Sequence, residues 1–213
     1  MTPGDWKFDD SVAAGFDTIA RTNIPHYEDV IDKCVMIAEA AFPDKTKARI
    51  IDVGSAKGHT LERFRKAGYE NVFGVDSSAA MLAQSSVKEN LIHSETFPKQ
   101  HGPFDMVVAN WTLHFIPERN RYLRDIRDSL SENGILVLSE KMQSSDFVHA
   151  RYHDFKRYMG VSEQDIAAKE AAIEGVLVPY PLEWYIDTLR EHGFSHIEII
   201  DAAWCFKTIL CIK

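Results

Sequence analysis

The chain has 213 residues, 45% hydrophobic and 26% charged, with a formal net charge of −8, a size and balance that fit one globular domain with a sizeable core. The negative charge excludes a protein that holds nucleic acid across a broad basic surface, because that affinity rests on Lys and Arg neutralising phosphates. No apolar run approaches the about 18 residues of a membrane span. The opening "MTPGDWKFDD" lacks the basic and apolar regions of a signal peptide, and Cys34, Cys205 and Cys211 show no metal-ligand spacing. The expectation is a cytoplasmic protein with reduced, buried thiols.

From Ser11 to Phe42 the pattern is helical on both sides of Pro25, with Val30, Ile31, Cys34, Ile37 and Ala38 on one apolar face. This predicts an N-terminal helical extension over residues 1–45, broken at "NIPHY". "ARIIDVG" follows as a buried strand, short, β-branched and ended by Gly, then "HTLERFRKAG" as a helix with a Gly stop. "NVFGVD" is a second strand, "SSAAMLAQSSVKEN" a serine-capped helix, "LIHSE" a third strand and "FDMVVANWTL" a fourth. "PERNRYLRDIRDSLSENG" reads as a Pro-initiated helix closing on Gly134, and "ILVLSEK" as a fifth strand. Strands with continuous apolarity alternating with helices predict a doubly wound α/β fold around a mostly parallel sheet. The alternation lapses over 143–176, where "DFVHARYHDFKRYMG" and "SEQDIAAKEAAIEG" predict two successive inserted helices. "PLEWYIDTLREHGF" resumes the pattern, and "HIEIIDAAW" and "FKTILCIK" close the single domain, 1–213, as an antiparallel pair.

The first strand runs into "IIDVGSAKGHT", where a doubly wound sheet places its ligand crevice. The turn Gly54-Ser55-Ala56-Lys57-Gly58 has Ala56 where a dinucleotide loop has glycine, and no GKS or GKT follows, so neither a pyrophosphate nor a triphosphate is supported. Acids remain: Asp52 before the turn, Asp76 ending the second strand and Glu95 after the third. A carboxylate ending strand two can accept both ribose hydroxyls, and one near the turn suits a cationic amino group. Singly, Asp52 or Asp76 serves equally well as a helix cap. Together with the turn and the closing hairpin they point to a nucleoside carrying an amino acid and no phosphate, which describes S-adenosylmethionine.

These residues resemble the Rossmann-like class I S-adenosylmethionine-dependent methyltransferases. A narrower resemblance spans nearly the whole chain, through "DWKFDDSVAAGF", "IARTNIPHY", "VDSSAAML", "NWTLHFI", "LVLSEK", "HDFKR" and "SEQDIAAKEAAIEGV". It is to the carboxy-S-adenosylmethionine synthase family, which works with prephenate in bacterial tRNA wobble-uridine modification. By matching position, the resemblance implies that Tyr27 lies over the cofactor and that Gly54, Ser55 and Ala56 line its methionine part. It further implies that Asp76 and Ser77 hold the ribose, that Glu95 and Thr96 flank the adenine, and that Asn110 closes the site. It also implies a homodimer, a small-molecule substrate, and S-adenosylhomocysteine as the product of methyl transfer; neither direct nucleic-acid binding nor a membrane is expected. The chain departs from the family where an arginine holds the product's extra carboxylate, since that position is Glu170. Two carboxylates repel where a bidentate Arg pair attracts. His26 stands for a glycine and His114 for a glutamine.

His114, in the loop after the fourth strand, is the candidate general base, against the reading of a histidine packed under a loop. Trp111, Phe115, Tyr152 and Tyr158 suit either a substrate pocket or the core. Arg151, Lys156 and Arg157 suit an anionic substrate or a solvated helix face. His149 and His153 have metal-ligand spacing on a helix without an evident third ligand, and no metal is expected. Three functions stay open: a methyltransferase using plain S-adenosylmethionine on a small molecule, which Glu170 favours; a carboxy-S-adenosylmethionine synthase with a cation supplied from elsewhere; and a non-catalytic cofactor-binding protein. A further reading has Glu170 recognising a cationic group.

Overall fold

The computed structural model describes residues 6–213, so the first five residues of the expected N-terminal extension lie outside it. Asp9 opens the first helix, α1 (Asp10–Asn23), by accepting the amides of Ser11 and Val12 at 3.0 and 3.1 Å, two donors that a helix start otherwise leaves unpaired. The break at "NIPHY" is a turn in which His26 takes a left-handed φ of 57°, and α2 (Tyr27–Ala41) follows. That is the conformation glycine tolerates best; His26 holds it with Nδ1 3.0 Å from the Asp201 carboxylate.

Seven strands form one sheet in the order β3-β2-β1-β4-β5-β7-β6: β1 (Arg49–Val53), β2 (Asn71–Asp76), β3 (Leu91–His93), β4 (Phe104–Asn110), β5 (Leu130–Lys141), β6 (Ser195–Ala203) and β7 (Phe206–Ile212). The first five are mutually parallel, while β7 runs antiparallel to both β5 and β6. The doubly wound sheet with its antiparallel end therefore stands as expected. Its central strands are apolar on both faces. Ile50, Met106, Val108 and Val137 pack toward Cys34 and Ala38 of α2 and Leu61 and Phe64 of α3 (His59–Lys66). Ile51, Val107, Leu136 and Leu138 pack toward Leu123 and Ile126 of α5 (Arg119–Ser129) and Tyr185 and Leu189 of α8 (Leu182–Glu191). Neighbouring residues serve opposite faces, as the strand period of two requires.

Several boundaries differ from the sequence reading. The helix after β2, α4, covers only Ala79–Ala83, because Ser85 turns its hydroxyl onto Val87 O at 2.7 Å and the Ser86 amide is drawn to Lys57 O at 2.9 Å. β4 stops at Asn110 because Trp111 swings to φ 56°. Helix α5 ends at Ser129 rather than Gly134; Leu130 already pairs with Phe104, and a register shift lets Ser131 donate to Asp105 at 2.9 Å before the regular ladder begins. The inserted segment forms α6 (Asp146–Tyr158) and α7 (Glu163–Ile173), capped by Ser145 and Ser162. All three cysteines are free and buried, and among the described residues no helix is long and apolar enough to cross a membrane.

Candidate functional site

At the C-terminal end of β1 the chain must turn sharply under β2 and β4. The amides of Gly54 and Ser55 both donate to Val75 O, at 2.8 and 3.1 Å, and Gly54 takes φ 70°. A Cβ on Gly54 would stand 2.1 Å from the Thr112 hydroxyl, so glycine is required by both dihedral and space. Ala56, where the sequence lacks a glycine, is nevertheless left-handed at φ 44°, and its amide donates to Asp76 Oδ2 at 2.9 Å. The other oxygen of Asp76 accepts the Ser78 amide at 2.8 Å. Asp76 thus holds Ser78, the residue that caps the next helix, and fastens the glycine turn to β2.

The turn forms the floor of a cavity of about 580 Å³. Gly54, Ser55, Ala56, Asp52, Asp76 and Ser77 line it from β1 and β2, and Glu95 and Thr96 from the loop after β3. Tyr27, Asn110, Trp111 and His114 face it as well. Two features of this wall call for a ligand. The Ser55 hydroxyl is buried without a hydrogen-bond partner, a group that costs free energy until something pairs with it. Burial, and then the neighbouring Asp76 carboxylate, push the Asp52 carboxyl well above its ordinary value; burial likewise raises Asp76, against the hydrogen bonds it accepts. Two carboxyls raised together, neither in an ion pair among the described residues, suit a positively charged ligand.

Over the turn, Tyr27 stacks on Trp111 at 4.8 Å and on His59 at 5.8 Å. Trp111, a bulky residue at positive φ, is held by this stack and by its amide bond to Ser139 O at 2.6 Å; such conformations persist where the surroundings over-determine them. The loop after Trp111 is organised by Glu140, fully buried at the end of β5. Its carboxylate accepts the amides of Thr112, Leu113 and His114 at 3.3, 2.9 and 2.8 Å and lies 2.5 Å from His114 Nδ1. The Lys141 amide points at the same ring nitrogen from 3.4 Å. The carboxylate beside the ring favours a positive charge on the imidazole when one forms there. Buried Arg119 secures the loop from below, donating to His114 O at 3.3 Å and Tyr185 Oη at 3.2 Å.

The β5 side of the cavity is cationic. Lys141, Lys156 of α6 and Lys169 of α7 line it, and none of the three forms an ion pair among the described residues. Burial and then the charge of Lys141 lower Lys156 to about 8; burial and then Lys156 and Lys141 lower Lys169 to about 8. The Tyr152 ring lies under Lys141 and Lys156, at 5.0 and 4.5 Å. Lys156 is 2% exposed, so the solvated-face reading fails for it. The reading fits Arg157 and Arg151, which pair with Asp154 at 2.6 and 3.0 Å outside the cavity; Arg157 also bridges to Glu163 on α7. Trp111, Phe115 and Tyr152 line the cavity, whereas Tyr158 is 88% exposed.

Glu170 does not line this cavity. It faces a smaller neighbouring one and contacts His153 and His149, so the repulsion expected between its carboxylate and a carboxylated ligand lacks the necessary placement. The third group beside the two histidines, not evident in the sequence, is Glu170 itself. Sequence reading also missed Glu140, Lys141, Arg119 and Lys169. The signal for the first two was present: adjacent charges ending an otherwise apolar buried strand require partners or a ligand.

The methyltransferase domain family matches residues 28–202. The carboxy-S-adenosyl-L-methionine synthase of Nautilia profundicola is 31% identical, with 98% of this chain and 94% of that protein covered. The same-named protein of Wolinella succinogenes is 33% identical over 98% and 93%. Among solved structures, magnesium protoporphyrin IX methyltransferase from Synechocystis with bound SAH superposes with a TM-score of 0.62 at 14% identity, covering 94% of each chain.

Proposed function

From the premise that the chain belongs to the methyltransferase domain family, beside the carboxy-S-adenosyl-L-methionine synthases, and is a transferase dependent on S-adenosylmethionine, we propose that it acts on a small acceptor bearing a carboxylate or similar anionic group. One observation carries this reading: three lysines without ion-pair partners among the described residues line the β5 side of the cavity. Buried ammonium groups left without anions are costly, and an anionic substrate relieves that cost where a neutral one does not.

In this reading Asp76 accepts the ribose hydroxyls with the lone pairs its two amide bonds leave free. Ser55 and Asp52 hold the amino-acid end, Glu95 and Thr96 flank the adenine, and Tyr27 and Asn110 bound the site. S-adenosylmethionine supplies a methyl group on a sulfonium, a good leaving group, so what the protein must add is alignment and exclusion of water. His114 takes the acceptor's proton, while the adjacent Glu140 carboxylate steadies the imidazolium. Lys141, Lys156 and Lys169 orient the acceptor by its charge. The test is cofactor turnover to S-adenosylhomocysteine with matched acceptors, each acid beside its amide. Turnover of the acids at far lower KM is expected; equal KM for acid and amide would sink the reading.

Carboxy-S-adenosylmethionine synthesis is the second reading, favoured by relatives of that name matching over the full chain. The same lysines would then take the role of the arginine replaced by Glu170. Incubation with S-adenosylmethionine and prephenate, followed by mass spectrometry, separates the two: a cofactor heavier by one carboxyl group selects this reading, and its absence rejects it.

A further inference from the structure

Beside the cofactor cavity, a second hollow of about 330 Å³ lies against α6, α7 and the segment that follows. His149 and His153 stand one turn apart on α6, so their rings leave the same helix face, and Glu170 of α7 meets them. Glu170 Oε1 lies 2.5 Å from Nε2 of His153 and 3.2 Å from Nε2 of His149. One ligand atom from each residue falls within 4.8 Å of the others. The three are not equally satisfied. His153 and Glu170 share a hydrogen bond, but Nε2 of His149 is buried and makes none; its approach to the carboxylate lacks hydrogen-bond geometry. Two imidazole nitrogens converge on one carboxylate oxygen, and only that of His153 is hydrogen-bonded to it.

We propose that His149, His153 and Glu170 bind a divalent transition-metal ion of the Zn²⁺ class, with the remaining coordination positions open to the second hollow. The donor set, two imidazoles and one carboxylate, suits Zn²⁺, Co²⁺ or Ni²⁺ and leaves unmet the all-oxygen preference of Mg²⁺ and Ca²⁺. Ligand atoms at tetrahedral Zn²⁺ distances stand about 3.3 Å from one another. The His149–Glu170 separation already matches that value. The His153–Glu170 contact opens by about 0.8 Å as the metal replaces the shared proton.

The surrounding charges sharpen the choice of metal. Lys141 lines the hollow and Lys156 lies near Glu170, and both repel a cation, while exposed Glu174 on the same hollow attracts one. A hard ion held mainly by electrostatic attraction gains little in such a field. An ion bound through strong nitrogen donors tolerates it. The site takes nothing from the cofactor and stands or falls apart from the proposed acceptor chemistry.

The full chain, stripped with EDTA, is titrated with Co²⁺ and followed by its visible absorption. A saturable signal of low-coordinate Co²⁺, displaced by Zn²⁺ and untouched by Mg²⁺, is expected. Glu170→Gln and the double variant His149→Gln/His153→Gln should each weaken binding by roughly tenfold or more, with circular dichroism reporting the fold. His149→Gln alone keeps the test decisive if the double variant does not fold, because the ring makes no hydrogen bond through Nε2. Absence of the signal in the wild-type chain, or a signal unchanged in these variants, overturns the site.

Discussion

On the β1–β2 side of the cavity, Asp52 and Asp76 stand at the C-terminal ends of adjacent parallel strands; burial raises both, and the Asp76 carboxylate raises Asp52 further. On the β5 side, Lys141, Lys156 and Lys169 come from a strand end and two inserted helices; Lys156 is lowered by burial and then by Lys141, and Lys169 by burial and then by Lys156 and Lys141. Each side is frustrated when considered alone, with like charges buried together. The strain is complementary, however: a cationic sulfonium nucleoside relieves the first side and an anionic partner the second. Under the proposed function, the cavity discriminates by the sign of charge at each end, which neutral hydrogen bonding does less sharply.

The largest effect should come from the floor of the acidic side. In Gly54→Ala the new Cβ meets a Thr112 hydroxyl already committed to Val53 O at 2.9 Å, at a φ of 70°. The left-handed penalty and the overlap together cost on the order of 2–5 kcal/mol. Thermal denaturation should show that loss, and calorimetry should find S-adenosylmethionine binding abolished; a variant with wild-type affinity would break the assignment of this turn to the cofactor.

Asp52→Asn separates stability from binding. A carboxyl raised in the folded state contributes stability fully present below its unfolded value, 3.8, and lost as pH rises through its folded value. At neutral pH the amide should therefore raise the melting temperature, by about 2–4 °C for each kcal/mol relieved. Cofactor affinity should fall roughly ten- to hundredfold with loss of a charged hydrogen bond. For the wild-type chain, binding of a cationic ligand should release protons, which calorimetry in buffers of different ionisation enthalpy detects.

The basic side predicts the opposite pH response. Lys156 and Lys169 lose charge as pH rises through about 8, and above that point the charged fraction of each falls about tenfold per pH unit. KM for an anionic acceptor should climb in that range while cofactor affinity does not. Lys156→Met should flatten the profile and stabilise the fold, since it removes a buried charge without breaking an ion pair. An unchanged KM profile would detach the lysines from acceptor recognition.

The two sides also differ in how they were written in the chain. The acidic side sits at strand ends, where a Gly turn, Asp52 and Asp76 form a local pattern, and the architecture gave that pattern a meaning. The lysines are scattered over 29 positions, from Lys141 to Lys169, and converge only through the packing of α6 and α7. Lys169 and Glu170 show why adjacency in sequence was a poor guide. Successive helical residues point about 100° apart, so one lines the cofactor cavity and the other the hollow beside it. For Lys156, in the charged run "HDFKR", the sequence leaves an anionic substrate and a solvated face both open; only the docked helix reveals which residue of the run is buried. Glu140 was hidden differently, in a strand otherwise apolar, because its partners are backbone amides of a loop whose path the sequence does not encode by motif.

The smallest effect concerns the residue that blurred the loop's identity. Ala56 stands where a dinucleotide loop has glycine, yet it adopts φ 44°. Left-handed geometry costs an alanine about 1–2 kcal/mol, while glycine loses about 0.4–1 kcal/mol through a freer unfolded chain. Ala56→Gly should therefore gain a few tenths to about 1 kcal/mol, read as a small rise in melting temperature, with cofactor affinity unchanged because the amide still donates to Asp76. A loss of stability would mean that the Ala56 methyl, packed near Val12, Ala13 and Met81, outweighs the dihedral cost. The turn would then owe its shape to the N-terminal helix docked over it, and the acidic side would depend on packing from a distant segment as the lysines do.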